Sequence, residues 1–488
     1  MYQSTRSRYC VSDTEAVLKG IAPDGGLFVD PEIAARPFDA EGCMPLSYPA
    51  LAEKVMAHLL PGFAEKLPEI VKVYPAKFSS EAITPLTRVG SDYALELYHG
   101  PTSAFKDVAL SVLPLLITSA REITGMKEQI SILTATSGDT GKAALEGFHD
   151  VPGTDITVFF PDGGVSAMQK AQMVTQEGGN VRVCAVRGNF DDCQRGVKEA
   201  FAAFASLSEE EKAGRILSSA NSINIGRLVP QVVYYFSAYS QLLAAGRISW
   251  GDKVDFVVPT GNFGDILAGY IAMLMGLPVG RLVCASNANN VLTDFLTTGV
   301  YDRRRPFLKT SSPSMDILVS SNLERLLFYA LDGDCAAVAS LMDSLSRDGA
   351  YTFPADAMEK IRSVFSAGCS SEDEVSATIR RLWEEDRWLS DTHTAVAFSV
   401  LEKYKKSAEY SGNVCVVLST ASPFKFPASV LEALGGKAQE NEFDTAAALS
   451  ALTGCPVPAN IASLREKSVR HTDVIDRDAV VPYSLSRM

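Results

Sequence analysis

Metal-binding side chains are scarce in this sequence, which has five histidines and nine scattered cysteines. No C-x-x-C pair occurs, and no cysteine and histidine stand at the spacing of a zinc site. A zinc centre is therefore not expected. The cysteine count is odd, and the polar N-terminus has no apolar segment of the kind found in secretory signals. Both observations predict a protein of the reducing cytoplasm.

Positive charge is also in short supply, because 45 basic residues face 58 acidic ones and the net charge is −13. Nucleic acid is an unfavourable partner for such a chain, since its phosphates require basic patches. No apolar run is long enough to span a bilayer, so no membrane partner is expected. A small anionic substrate remains compatible, because a local site can oppose the overall sign of charge.

The chain contains no repeat, low-complexity tract or flexible linker, although 488 residues are too many for one ordinary core. Helical periodicity prevails to about residue 90. Strand, turn and helix then alternate, as in "ISILTAT", "SGDTG" and "KAALEGFHD". This alternation predicts an α/β fold with a parallel sheet covered on both faces. Without a linker, the domains are expected to be interleaved.

Two nucleotide-binding motifs are missing, namely G-x-G-x-x-G and the G-K-[ST] of a P-loop, which disfavours NAD and ATP. The stretch "VPTGNFGDILAGY" nevertheless places Gly261 and Gly264 between a strand and a helix. Backbone N–H groups in such a turn can bind a phosphate. Asp265 is expected to contribute its N–H while its side chain caps the helix. A plain turn with an aspartate cap is an equally good interpretation of this stretch alone.

Two further turns are rich in polar side chains. In "TATSGDTGKAAL", Ser137 and Thr140 could bind a carboxylate, and Asp139 could accept a hydrogen bond or cap the helix. In "NSINIGRLVP", Asn221 and Arg227 could bind a phosphate or carboxylate, together with Ser222. Taken singly, a capping box without a ligand and a surface arginine are the simpler interpretations.

A lysine stands at the start of an apolar run in "ELYHGPTSAFKDVAL". Burial of the Lys106 ammonium would be unfavourable unless it is paired, neutralised or covalently modified. Pyridoxal phosphate (PLP) would modify it by condensing with the amine, and the glycine turn at 261–264 could hold its phosphate. Thr420, at the end of a strand, could meet the pyridine nitrogen. The alternatives are a lysine paired with Asp107 at the surface and an ordinary strand threonine.

Four of these segments, "HGPTSAFKD", "TATSGDTG", "NSINIGRL" and "PTGNFGD", resemble the signature segments of threonine synthases. The similarity extends to both ends, where "APDGGLFVD" and "STASPFKF" resemble the short bacterial and fungal type. The resemblance implies the PLP-dependent, tryptophan-synthase-β-like fold (fold type II), with two interleaved parallel-sheet lobes and a helical N-terminal region. The expected divisions are a brace at 1–90, a small substrate lobe at 107–225, and a large PLP lobe at 91–106 and 226–488.

The resemblance also assigns roles to individual residues. Lys106 would form the aldimine with PLP, and Thr420 would meet its pyridine nitrogen. The remaining assignments are the cofactor phosphate to Gly261, Asn262, Phe263, Gly264 and Asp265, the substrate carboxylate to Ser137, Gly138, Asp139 and Thr140, and a substrate phosphate to Asn221, Ser222 and Arg227. No role follows for His393 or Lys425, although both stand in segments that resemble the family.

The implied reaction converts O-phospho-L-homoserine and water to L-threonine and phosphate, the last step of threonine biosynthesis, in a monomer or homodimer. A first alternative is another lyase of the same fold, such as a threonine or serine dehydratase or a cysteine synthase. That enzyme would share the lysine and the phosphate turn but would not need a second phosphate site. A second alternative is a non-catalytic binding protein that retains the fold.

Overall fold

The computed structural model describes residues 1–486, except the side chain of Asp191. Its strands are β1 Tyr2–Ser4, β2 Cys10–Val11, β3 Phe28–Val29, β4 Leu86–Val89, β5 Asp92–Glu96, β6 Gln129–Ala135, β7 Thr154–Pro161, β8 Val181–Arg187, β9 Arg215–Ser218, β10 Val254–Pro259, β11 Val279–Ser286, β12 Val300–Asp302, β13 Ala350–Thr352, β14 Phe365–Cys369, β15 Val414–Ser419 and β16 Asp473–Asp476.

Helices separate most of these strands. They are α1 Asp13–Lys19, α2 Tyr48–Leu59, α3 Leu67–Ile70, α4 Val73–Lys77, α5 Lys106–Leu110, α6 Leu113–Thr124, α7 Asp139–Phe148, α8 Ala167–Val174, α9 Phe190–Ala205, α10 Ile225–Ala244, α11 Gly264–Leu274, α12 Val291–Thr298, α13 Leu323–Ala330, α14 Cys335–Asp348, α15 Ala355–Val364, α16 Glu372–Asp386, α17 Thr392–Lys405, α18 Pro427–Ala433, α19 Glu442–Thr453, α20 Ala459–Ala462 and α21 Val480–Ser486. Within residues 1–486, none of these helices has the length and apolarity needed to cross a membrane.

The larger sheet has six strands in the order β14-β11-β10-β15-β5-β4. All neighbours run parallel except the edge strand β4, which pairs antiparallel with β5. Every residue of the inner strand β10 is buried. Its near-continuous apolar sequence is what a strand covered by helices on both faces requires.

The second sheet has five parallel strands in the order β16-β8-β7-β6-β9. Its strands β6–β9 lie in the segment expected to form the small lobe. The structure differs from the expected divisions at two strands, because β4 lies before residue 91 and β16 joins this second sheet. In each case the strand pairs with an exposed sheet edge, which offers unpaired backbone groups. The division into lobes otherwise stays a prediction.

The N-terminal region carries a small antiparallel sheet, β2-β1-β3, followed by helices. Its apolar residues belong to the same continuous core as α10 and both large sheets; examples are Val17 of α1, Val232 of α10 and Ile132 of β6. The region is therefore packed against the body of the protein.

Each of four predicted site segments follows the carboxyl end of a strand. β6 ends before the "SGDTG" turn, β9 before "NSINIG", β10 before "GNFG" and β15 before Thr420. Ligands of open α/β sheets bind at the carboxyl ends of parallel strands. The fold thus brings the four predicted segments to the edge of the sheets where a site is expected.

Candidate active site

One cavity collects the residues predicted from the sequence. The predicted site residues that line this cavity are Lys106, Ser137, Asp139, Thr140, Asn221, Ser222, Arg227, Gly261, Asn262, Phe263, Gly264, Asp265 and Thr420. Gly138 is the one predicted site residue that does not line it. Gly138 lies behind the wall, with φ +138° and its N–H donating to Thr136 Oγ1 at 2.9 Å. A Cβ on Gly138 would come within 2.3 Å of the Gln169 side chain. Glycine is needed here for the shape of the turn.

Lys106 is held beside the end of β15 by backbone hydrogen bonds. The N–H of Phe105 donates to Thr420 O at 2.8 Å, and the N–H of Ser422 donates to Ser103 O at 3.0 Å. The segment before the lysine therefore runs along the segment that carries Thr420. This pairing brings Lys106 and Thr420 to the same wall of the cavity.

Lys106 is 9% exposed, and its Nζ lies 3.6 Å from Asp139 Oδ2. Burial lowers the pKa of Lys106, and the positive charges of Lys425 and Arg227 act in the same direction, whereas Asp139 opposes them. The alternative pairing with Asp107 is wrong, because the Asp107 carboxylate accepts hydrogen bonds from Thr102. Lys106 is thus a buried amine that deprotonates more easily than an ordinary lysine.

Lys425, which the sequence left without a role, is the main partner of Asp139. Its Nζ is fully buried and lies 2.7 Å from Asp139 Oδ1, and it donates to Thr102 O at 3.1 Å. Burial alone would raise the pKa of Asp139, but the charges of Lys425 and Lys106 outweigh it and hold that pKa well below its usual value. Asp139 is therefore a carboxylate counter-ion, and its side chain does not cap α7.

The turn between β10 and α11 forms a cup of backbone donors. Phe263 adopts a left-handed conformation with φ +62°. The carbonyl oxygens of this turn accept hydrogen bonds from side chains: Ser320 Oγ donates to Gly261 O at 2.7 Å, and Asn322 Nδ2 donates to Asn262 O at 2.9 Å. Within residues 1–486 the N–H groups of Gly261, Asn262 and Phe263 have no protein acceptor. Successive free N–H groups at a helix N-terminus form an anion-binding cup.

The expected cap by Asp265 is wrong. Its Oδ1 accepts a hydrogen bond from the Tyr234 hydroxyl at 2.5 Å and lies 3.3 Å from the Tyr235 hydroxyl, whose closer acceptor is the backbone O of Asp265 at 2.9 Å. The N-cap of α11 is Phe263. The two tyrosines draw the carboxyl toward α10, away from the start of its own helix. Burial raises the pKa of Asp265 to about 7, although both tyrosine hydroxyls oppose that shift.

Arg227 is a buried cation without an anionic partner in the described chain. It is 3% exposed, so the interpretation as a surface arginine is wrong. Its Nη1 donates to Ala220 O at 3.0 Å, whereas Nε has no acceptor, and the nearby Oδ1 of Asn221 also has no partner. Burial lowers the pKa of Arg227 to about 10. An unpaired buried guanidinium is costly, which favours an anion as its partner.

A second group that the sequence did not assign is His393, at the start of α17. Its Nδ1 lies 3.0 Å from Asp391 Oδ1, and its Nε2 accepts a hydrogen bond from the N–H of Ser314 at 3.2 Å. Ser314 Oγ in turn donates to Asp139 Oδ2 at 3.2 Å. The chain of contacts fixes the turn around Ser314, which lies against the cup: a Cβ on Gly261 would meet Ser314 O at 2.8 Å.

The residues present fit PLP. The cup offers donors to a phosphate, Lys106 offers an amine with a lowered pKa, and Thr420 adds a hydroxyl to the wall of the same cavity. A metal is less well served, since the described residues contain no group of three or more His, Cys, Asp or Glu side chains that could hold one. The cavity therefore matches an organic phosphate better than a metal ion.

Comparison with known proteins agrees with this fit. A profile for pyridoxal-phosphate-dependent enzymes matches residues 83–420, and profiles for the threonine synthase N terminus and C-terminal region match residues 1–72 and 394–481. The threonine synthase of Pseudomonas aeruginosa is 38% identical over 484 residues, which cover 96% of this chain and 95% of that protein. The chain belongs to the threonine synthase family.

A solved structure of PLP-bound threonine synthase from Brucella melitensis superposes with a TM-score of 0.86 at 39% identity, covering 99% of this chain and 98% of that one. Human threonine synthase-like 1 is 38% identical over 442 residues, which cover 86% of this chain. The chain spans only 58% of the length of that relative. The resemblance to threonine synthases, the fold type II architecture and, at the level of the family, the PLP cofactor are thereby confirmed.

Proposed function

We propose that the protein converts O-phospho-L-homoserine and water to L-threonine and phosphate, the last step of threonine biosynthesis. One observation carries the proposal: Arg227, buried and without an anionic partner in the described chain, shares a cavity with Lys106 and a cup of free N–H groups. Two separate anion-binding groups beside one buried amine match a reaction in which the cofactor and the substrate each carry a phosphate.

Lys106 is the proposed point of covalent attachment for PLP, and the cup of Gly261, Asn262, Phe263 and Gly264 is the proposed site of its phosphate. Thr420 is proposed to meet the pyridine nitrogen with its hydroxyl. When bound, PLP supplies an aldehyde that condenses with amines and a ring that withdraws electrons from the substrate Cα. The lowered pKa of Lys106 supports the assignment, because the neutral amine is the nucleophile in that condensation.

The chain's own groups then orient the substrate and move its protons. Lys106 Nζ, once free of the cofactor, takes the proton from the substrate Cα and later returns it. Asp139 keeps a negative charge beside that nitrogen, at 3.6 Å, and thus stabilises the amine whenever it holds a proton. Lys425 holds Asp139 in place from the other side.

Ser137 and Thr140, with the N–H groups that begin α7, are the proposed site of the substrate carboxylate, within the turn that Gly138 shapes. Arg227, Asn221 and Ser222 are the proposed site of the substrate phosphate. The unpaired Arg227 Nε supports this, because it can donate a charge-assisted hydrogen bond to a phosphate oxygen. The side-chain Oδ1 of Asn221 also has no partner in residues 1–486, and because it is an acceptor, the amide nitrogen of this side chain is the proposed donor to the phosphate.

A dehydratase is the second candidate, since it would use the same lysine and cup. The buried Arg227 favours a substrate with its own phosphate, whereas threonine and serine carry none. A protein that binds PLP without turnover is the third candidate, since it would need only the lysine and the cup.

Steady-state release of phosphate from O-phospho-L-homoserine tests the proposal, with ammonia release from L-threonine measured in parallel. We expect rapid phosphate release, formation of threonine, and little ammonia. Lys106→Ala is expected to lose the visible absorbance of the linked cofactor and essentially all turnover, and borohydride reduction of the wild type should label the peptide that contains Lys106. Ammonia release without phosphate release would overturn the proposal in favour of a dehydratase, and PLP binding without either would favour a non-catalytic protein.

We also propose that the enzyme works in the cytoplasm as a monomer or homodimer. All nine cysteines lie within the described residues and are free, which supports a reducing compartment. Light scattering during size-exclusion chromatography gives the mass in solution directly, and a tetramer or larger species would contradict the second part.

A further inference from the structure

A carboxyl oxygen without a partner lies beside the cup. Asp265 lines the cavity as the second residue of α11, directly after the N–H groups of the cup. Its Oδ1 is engaged by the hydroxyls of Tyr234 and Tyr235. Its Oδ2 is buried and has no hydrogen-bond partner in residues 1–486. A buried carboxylate oxygen with no donor is unfavourable, so this oxygen requires either a donor or a proton of its own.

The groups that face Asp265 do not supply a counter-charge. Tyr234 and Tyr235 of α10 are neutral donors, and Lys106 of α5 acts only through its longer-range charge. Lys106 has its close contact with Asp139 instead. Burial outweighs these three groups and raises the pKa of Asp265 to about 7. The uncharged acid is therefore already accessible near neutral pH before any anion binds.

An anion in the cup would strengthen this preference. A phosphate dianion beside a carboxylate would be repelled, whereas a neutral carboxyl can donate to it. The short hydrogen bond from Tyr234 occupies Oδ1 as an acceptor, and Tyr235 fixes the backbone O of the same residue, which leaves Oδ2 as the oxygen that carries the proton.

We propose that Asp265 holds a proton on Oδ2 and donates it as a hydrogen bond to the phosphate of the bound cofactor, an inference that rests on the proposed position of that phosphate in the cup. Asp265 is then a phosphate ligand through its side chain as well as its backbone. Tyr234 and Tyr235 are positioning residues that present Oδ2 to the cup.

The proposal predicts that the contribution of the phosphate to PLP affinity depends on pH. Below about pH 7 the acid is neutral and donates. Above that value, binding of the dianion requires Asp265 to take up a proton, so affinity falls about tenfold for each pH unit. The cofactor phosphate does not itself produce this slope, because a phosphate monoester with its second pKa near 6 is already a dianion.

The test uses the full chain freed of cofactor and measures the dissociation constants of PLP and of pyridoxal from about pH 6.5 to about pH 9. Both compounds can condense with the same lysine, so the change of the ratio of the two constants with pH reports on the phosphate. We expect the advantage of PLP over pyridoxal to fall about tenfold per pH unit above about 7 in the wild type. Asp265→Asn places a permanent neutral donor there, and its ratio should not change with pH. In Tyr234→Phe the fall should begin at higher pH, because the Tyr234 hydroxyl lowers the pKa of Asp265 in the wild type and its removal raises that pKa.

A wild-type ratio that is constant over this range would overturn the proposal, as would an Asp265→Asn variant with the wild-type slope. If Asp265→Asn does not fold, the direction of the shift in Tyr234→Phe decides instead. The two proposals fail separately. A constant ratio in a protein that releases phosphate from O-phospho-L-homoserine refutes only the role of Asp265, whereas the expected slope without turnover refutes only the activity.

Discussion

Lys425 and Asp139 form a buried ion pair in the wall of the cavity, with Nζ and Oδ1 2.7 Å apart. The same carboxylate reaches Lys106 at 3.6 Å through its other oxygen. Two lysines therefore share one aspartate. Removing one partner of a buried pair leaves the other charge uncompensated, which is more damaging than removing both.

We expect Asp139→Asn and Lys425→Met each to lower the free energy of unfolding by about 3–5 kcal/mol. The double variant should be destabilised by less than the sum of the two, because Lys425 and Asp139 are then removed together and only the more distant Lys106 loses a partner. Chemical denaturation of the four proteins, all prepared without cofactor, measures the coupling. Additive effects would show that the pair contributes no mutual stabilisation.

The same aspartate predicts a dependence of stability on pH. Its pKa in the folded protein lies below the unfolded value of about 4. Its stabilising contribution is therefore complete above about pH 4 and is lost as the pH falls below that value toward the folded pKa. Below about pH 4, the wild type should lose about 1.4 kcal/mol more per pH unit than Asp139→Asn. Parallel slopes in acid denaturation would contradict a lowered pKa for Asp139.

Gly261 provides a steric test of the cup. An added Cβ would stand 2.8 Å from the carbonyl oxygen of Ser314, so either the turn or its neighbour must move. Gly261→Ala should weaken PLP binding at least tenfold, equivalent to about 1.4 kcal/mol. Gly179→Ala is the matched control, since the atom nearest to its added Cβ lies 3.8 Å away. Equal PLP affinities for the two variants would place the phosphate elsewhere.

His393 is expected to act by holding the turn that covers the cup. Its Nε2 accepts from the N–H of Ser314, and a phenylalanine at this position keeps a ring but removes the acceptor. A buried N–H without its acceptor costs about 1–3 kcal/mol. His393→Phe should therefore weaken PLP binding by about five- to a hundredfold. Titration of the apo-protein with PLP measures this effect.

His149→Phe is the control for that variant, because His149 is half exposed and pairs with Asp150 away from the cavity. It should leave the PLP affinity unchanged. If His393→Phe binds PLP as tightly as the control does, the contact between His393 and Ser314 has no part in shaping the cup.

The turns of the candidate site could be predicted because their chemistry is local. A buried strand, a glycine- or hydroxyl-rich turn and a helix follow one another in "VPTGNFGDIL" and "TATSGDTGKAAL", and parallel strands bring such turns to one edge. The resemblance to threonine synthases added the link between Lys106 and these turns.

The residues that were predicted wrongly or given no role are those whose partners lie far away in the sequence. Asp265 was expected to cap its own helix, but Tyr234 and Tyr235 of another helix provide donors that no local pattern reveals. Lys425 and His393 act through Asp139 and Ser314, which lie far from them in the chain. Such pairs follow from tertiary packing, which a single sequence read by periodicity and spacing does not specify.

Substitution of Arg227 distinguishes the proposed site of the substrate phosphate from that of the cofactor phosphate. If it binds the substrate phosphate, Arg227→Met should raise KM for O-phospho-L-homoserine by about 10- to 100-fold, the loss expected for a hydrogen bond to a charged group of about 1.5–3 kcal/mol. PLP affinity and the absorbance of the linked cofactor should change little. Arg227→Lys keeps the charge but not the unpaired Nε–H donor, so it should fall between the two. A loss of PLP affinity with an unchanged KM would assign Arg227 to the cofactor and would remove the main support for a phosphorylated substrate.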